Sequence, residues 1–241
     1  MSVVDPVGSA LLALIAGDLP DVTIHRSDGA TFPHRGIQKW VTPFPSDDPA
    51  ENELLDRIQG PVLDLEAGAG RVSLALHERG ISVLPMDPSS GCMKAMHLRG
   101  LEMARVGHGG EDVDGERFSA VLLLRGGIPF AGTMDRTREW FSELAEVAHA
   151  EGKLFVGSIL PGWSKDPYSH PHPELQGFQM AVRSRIEHRG VSGPWEDRLF
   201  PSVDEMEVLL DGTGWVASSD AIAHAGGPAV ILVAHRENAA S

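Results

Sequence analysis

The stretch Glu66-Ala67-Gly68-Ala69-Gly70-Arg71 stands between a short apolar run and a helical pattern, and Asp87 closes the next apolar run. Gly68 and Gly70 let a ligand approach backbone that a side chain would block. The helix that opens after them offers unpaired N–H groups, which favour a carboxylate or a phosphate. Asp87 lies one strand further on, where the two hydroxyls of a sugar can each donate to a carboxylate. These residues predict a nucleoside-containing ligand across adjacent strand ends. The dinucleotide pattern G-x-G-x-x-G is not met, because Ser73 stands where its last glycine belongs.

Other residues could do chemistry at the same place. His170 and His172 fall in an irregular, proline-rich stretch over 160–176, and His34 falls in the N-terminal segment. An imidazole in a loop over the strand ends can take a proton near neutral pH, which makes these three the candidate bases. Trp40, Trp163 and Tyr168 are candidates to line an aromatic substrate cavity, with core packing as the competing role. Arg125 follows a buried strand and can bind an acidic substrate or pair with Glu66. The histidines are scattered and lack a local acid cluster, so no metal site is expected. Cys92 reads as a packing residue.

The elements that must position these groups follow from periodicity. Residues 62–65 form a run short enough for a buried strand, 72–78 carry apolar residues at helical spacing, and 81–86 form a second strand. Such a unit needs a right-handed crossover and belongs in a parallel sheet. Residues 118–124 and 154–159 read as further core strands covered on both faces. Helices are predicted over 7–15, 49–58, 90–99, 134–149 and 201–210, the last opened by a capping box of Ser202 and Glu205. Residues 101–106 read as a third strand, and 215–221 with 229–234 as a terminal pair. Alternation over 178–188 predicts a strand of a small accessory sheet. Residues 17–27 break pattern, and 31–49 read as ordered cover rather than as a sheet element.

Composition narrows the classes. Acidic residues outnumber basic ones 34 to 20, a formal charge of -14 that opposes nonspecific binding to nucleic acid or to an anionic membrane. One cysteine excludes an internal disulfide and a thiolate zinc cluster. No run reaches the roughly 20 apolar residues of a membrane span, and the N-terminus does not read as a signal peptide. A cytoplasmic protein with a small-molecule substrate is expected, with no nucleic acid or membrane partner and with room for a homo-oligomer.

The stretch VLDLEAGAGRVSLALHERGISVLPMDPSS resembles the first motif and the following acidic motif of class I S-adenosylmethionine-dependent methyltransferases. FSAVLLLRGGIPFAG, over 118–132, resembles the strand-four region of a bacterial small-molecule subgroup, and 154–158 the strand-five region. The resemblance spans about 49–233. It implies an α/β, Rossmann-like seven-stranded sheet with a terminal antiparallel strand and a small accessory insertion. It implies S-adenosylmethionine as cofactor, with Asp64, Gly68 and Gly70 around its methionine and ribose parts. Asp87 would hold the ribose, Pro88 would flank the adenine, and Glu111 or Asp112 would lie near the adenine amine. Leu124, Arg125 and Gly126 would stand where cofactor meets substrate. Three departures stand out. Glu66 occupies the position of the motif's first glycine, where its side chain can crowd the cofactor or point away if the turn relaxes; Ser119 replaces an acid common after Phe in the fourth-strand motif; and Gly126 stands where the subgroup often has Asn. Residues 1–49 are expected as a cavity cover over a methyltransferase-like domain at 50–241, whose segment 160–200 carries the substrate loop. The function expected is methyl transfer to a small molecule of specialised metabolism. The alternatives are a degenerate member with another reaction or a ligand-binding role, a nicotinamide-dependent oxidoreductase, and a nonenzymatic interaction protein.

Overall fold

The computed structural model describes residues 4–34, 36–113, 115–124, 126–159, 172–223 and 229–237. In chain order these form α1 (Pro6–Ile15), β1 (Val22–Arg26), β2 (Thr31–Pro33), α2 (Pro49–Arg57), β3 (Val62–Leu65), α3 (Arg71–Glu78) and β4 (Val83–Asp87). There follow α4 (Ser90–Leu98), β5 (Arg105–Val106), β6 (Phe118–Leu123), β7 (Ile128–Pro129), α5 (Met134–Glu146) and β8 (Ala148–Ile159). The last part holds β9 (Ala181–His188), β10 (Val191–Ser192), β11 (Glu196–Leu199), α6 (Val203–Leu210), β12 (Trp215–Ala223) and β13 (Ala229–Arg236).

Seven strands make the central sheet in the order β12-β13-β8-β6-β3-β4-β5. β5, β4, β3, β6 and β8 run parallel, whereas β13 is antiparallel to both β8 and β12. Every residue of β3 and β4 is buried, as expected for parallel strands covered on both faces. One apolar cluster packs α5 and α6 through Phe141, Leu144, Met206 and Leu209. Another packs α2 and α3 on the opposite face through Leu54, Leu55, Val72 and Leu76. From β3 the chain moves outward to β4 and β5, then returns to place β6 on the other side of β3. That reversal leaves a crevice at the carboxyl ends of the strands, where open α/β sheets bind ligands.

Helix starts follow local chemistry. Ser89 caps α4 by accepting from the Cys92 N–H, and Thr133 caps α5. Ser202 and Glu205 complete the capping box that opens α6. Asp5 does more than cap α1. Its carboxylate accepts from the Gly8 N–H (2.8 Å), the Ser89 hydroxyl (2.6 Å) and the Gly91 N–H (3.0 Å). One charge thereby serves the first turns of two helices. The helices approach so closely that a Cβ on Gly8 would lie 2.6 Å from the Gly91 Cα.

The second sheet corrects the reading of the N-terminal part. Its order is β2-β1-β9-β11-β7, with β10 paired to β9, and every pairing is antiparallel. Residues 22–26, expected to break pattern, are a strand, and 31–33, expected to be cover, are its hairpin partner. Glycine, proline and aspartate around both strands hide a pairing that β9 supplies from far along the chain. Other boundaries move as well. The third parallel strand shrinks to Arg105–Val106, and α5 ends at Glu146 because β8 begins at Ala148.

Candidate functional site

A cavity of about 620 Å³ opens between the carboxyl ends of the central strands and the accessory sheet. Its floor carries Asp64, Leu65, Glu66, Ala67 and Gly68 at the end of β3, Asp87, Pro88, Ser89 and Ser90 at the end of β4, and Leu124 and Gly126 after β6. Gly68 is left-handed (φ +59) and donates its N–H to Asp87 Oδ2 at 2.9 Å. The Ser89 N–H donates to Asp87 Oδ1, also at 2.9 Å. A carboxylate has about four accepting sites, so these bonds leave accepting capacity on Asp87, which lines the cavity. Burial pushes the Asp87 carboxyl up to about 6. The two N–H donors oppose that rise and the nearby Glu66 charge adds to it. Asp64 is buried and accepts from the Ser73 hydroxyl at 2.5 Å, which fixes the end of β3 to the first turn of α3.

Glu66 is left-handed, with φ +53, a conformation that favours glycine. Its carboxylate is held bidentately by Arg198 of β11: Nη1 meets Oε2, and Nη2 meets Oε1 at 3.3 Å. Arg198 Nη2 also donates to Glu196 Oε2 at 3.1 Å. Burial pulls the Arg198 guanidinium down, but the Glu66 and Glu196 charges outweigh it and its pKa is raised. The partner expected for Glu66, Arg125, lies outside the described residues, and Arg198 fills that role.

The roof is one face of the accessory sheet. Register places Ile24 opposite Ile186, Arg26 opposite Ser184, Glu196 opposite Ser184 and Arg198 opposite Val182. All of these line the cavity, with Phe32, Met180 and Phe200. Arg26 is ion-paired to Asp28. The N-terminal segment adds His34 and Trp40, whose rings meet edge to face at 5.5 Å. Burial lowers the His34 pKa, so its imidazole is neutral at pH 7. Trp40 lies over the glycine turn, where a Cβ on Gly68 would be 3.4 Å from its ring. Arg71 ties this segment to α3, donating to the Thr42 carbonyl (2.9 Å) and to Glu51 (2.9 Å), with Phe44 under its guanidinium.

The structure brings together Asp64, Glu66, Gly68, Asp87, Pro88, Leu124, His34 and Trp40. It keeps three sequence candidates off the cavity wall. Gly70 faces inward, where a Cβ would be 2.4 Å from Leu101 Cδ1, so its glycine answers packing and a left-handed start to α3. Asp112 is exposed and accepts from the His108 N–H at 2.7 Å. His172 caps the turn Pro173–Leu175 and packs its ring on Phe130 at 5.2 Å. Glu111 sits in the turn Gly110–Asp112, and its side chain lies outside the described residues, as do Arg125, Trp163, Tyr168 and His170. Arg198, Ser184, Ile24 and Phe32 were not legible as site residues. The one available signal was the alternation over 196–199, which puts Glu196 and Arg198 on the same face. Among the described residues no group of three His, Cys, Asp or Glu side chains is placed to hold a metal ion, and no helix is long and apolar enough to cross a membrane.

No family model and no curated protein matches the chain in sequence. Solved structures do match in fold. A SAM-dependent methyltransferase from Bacteroides fragilis, in complex with S-adenosyl-L-homocysteine, superposes with a TM-score of 0.79 at 19% identity, over 97% of this chain and 95% of that one. The CcbJ methyltransferase from Streptomyces caelestis gives 0.56 at 16% identity, over 82% and 92%. The glycopeptide N-methyltransferase MtfA, complexed with S-adenosylhomocysteine, gives 0.54 at 20% identity, over 81% and 92%. The protein has the class I SAM-dependent methyltransferase fold, with the seven-stranded sheet and the terminal antiparallel strand that the resemblance implied.

Proposed function

We propose that the protein transfers a methyl group from S-adenosylmethionine to a small-molecule acceptor. The observation that carries this reading is Asp87: a buried carboxylate at a strand tip, oriented by the Gly68 and Ser89 N–H groups, with accepting capacity left for a sugar diol. The donor set fits the cofactor, since the cavity pairs a backbone turn without side chains at Gly68 with apolar cover from Pro88 and Trp40. The Glu66 carboxylate is turned to Arg198, so it is neutralised rather than left as a bare charge in the crevice. S-adenosylmethionine, when bound, supplies an electrophilic methyl group on a sulfonium.

The chain's own residues then have three tasks. Asp87 and the Gly68 turn hold the nucleoside. Ile24, Phe32, Val182 and Met180 give the acceptor an apolar roof and exclude water, which helps an in-line displacement by positioning alone. His34, neutral and in the cavity wall, accepts the proton of an acceptor hydroxyl or amine. The segment before α2 serves as cover, since α1, Trp40 and β1 all reach the cavity. The charge of -14 supports a substrate other than nucleic acid.

The test is calorimetry with S-adenosylmethionine, S-adenosylhomocysteine and NAD, followed by mass analysis of candidate acceptors for the gain of one methyl. Binding of the two sulfur compounds and not of NAD supports the reading. Tight NAD binding without either sulfur compound overturns it in favour of an oxidoreductase.

A further inference from the structure

Two departures from the motifs of the class meet at one guanidinium. Glu66 stands where a glycine is expected and remains left-handed. Gly126, left-handed at φ +85, stands where an amide side chain is common, and a Cβ there would be in ordinary contact with Arg198 Nη1 at 3.5 Å. The next carbonyl, Gly127 O, lies 3.5 Å from the same nitrogen. Arg198 lies beside both positions.

We infer that Arg198 stands in for the missing glycine: by holding the Glu66 carboxylate it keeps residue 66 left-handed, which makes it a positioning residue for S-adenosylmethionine. The inference rests on the function proposed above. A side chain at positive φ is strained, and the strain persists only where the surroundings over-determine the conformation. The bidentate pair is such a constraint, since a guanidinium fork fixes orientation as well as charge. Residue 66 lies two positions before Gly68, whose N–H orients Asp87. Releasing Glu66 lets the turn relax and frees a carboxylate to swing into the crevice. On the roof, Arg198 pairs in register with Val182.

The test compares S-adenosylhomocysteine affinity and thermal stability in the wild type, Arg198→Ala, Glu66→Gly and the double variant. Arg198→Ala is expected to weaken binding by about tenfold or more, whereas Glu66→Gly and the double variant stay within about threefold of wild type, because glycine needs no pin at positive φ. A merely structural bridge would lower the melting temperature of Arg198→Ala without rescue of affinity by Glu66→Gly. Unchanged affinity in Arg198→Ala, or a double variant as weak as that single variant, overturns the inference. Should Arg198→Ala fail to fold, Glu66→Gln keeps the strained side chain and removes the charge pairing. Weaker binding in Glu66→Gln supports the inference, and unchanged binding overturns it. A wild type that binds no S-adenosylhomocysteine overturns the functional reading and this inference with it. Tight wild-type binding with an unaffected Arg198→Ala overturns the inference alone.

Discussion

The floor and the roof of the cavity are built by different rules. The floor comes mainly from one stretch, β3 to the start of α4, completed by Leu124 and Gly126 after β6, and its polar groups are fixed within that stretch: Gly68 to Asp87, Ser89 to Asp87, Ser73 to Asp64. The roof is assembled from three distant pieces of chain, β1 with β2, β7, and β9 to β11, joined by antiparallel pairing. A floor of that kind can hold one ligand unchanged while the roof above it varies with the acceptor. Function that depends on the roof is therefore the part least predictable from any one segment.

If this division holds, floor substitutions should act on cofactor affinity and roof substitutions on the acceptor. The largest effect is expected from Asp87→Ala. Removing two charge-assisted hydrogen bonds, each worth about 1.5–3 kcal/mol, should weaken S-adenosylhomocysteine by about 10²–10⁴-fold in calorimetry. Next comes His34→Gln, which should lower kcat by roughly 100-fold through loss of the base while leaving cofactor affinity near wild type. An equal loss in cofactor affinity would put His34 on the floor side of the division.

The third effect is on pH. Asp87 must be ionised to accept from a diol, and its carboxyl is raised to about 6 by burial. Affinity for S-adenosylhomocysteine should be flat above that value and fall about tenfold per pH unit below it. The sign also applies to stability. Because the folded-state value is raised, the cost of the buried charge is present above about pH 6 and is relieved as pH falls toward the ordinary carboxylate range. Asp87→Asn should flatten the binding profile. The smallest effect is expected from Ile24→Ala. Trimming the apolar roof should raise the acceptor KM by roughly fivefold and leave S-adenosylhomocysteine binding within about twofold.

The same contrast explains what could be read from the chain. The continuous apolar runs of β3, β4 and β6, the paired glycines and the capping box at Ser202 are local features, and they gave the central sheet and its floor. The sequence could not show that Gly70 serves packing against Met96 and Leu101, since motif spacing does not tell a ligand-facing glycine from a core-facing one. β1 lay hidden because Val22–Arg26 is short and flanked by turn residues, and its partner is β9. Arg198 was out of reach for the same reason: it meets Glu66 across 132 residues, whereas a strand-tip neighbour, Arg125, was the nearer choice in sequence. Long-range pairing carries no local mark, so half of the cavity became visible only in three dimensions.

A crystal structure of the protein grown with S-adenosylhomocysteine tests the central claim most directly. The account predicts the ribose hydroxyls donating to Asp87, the adenosyl group lying beside Gly68 and Pro88, and Glu66 still held by Arg198. A ribose bound away from Asp87, or a crevice filled by the Glu66 side chain, would contradict it.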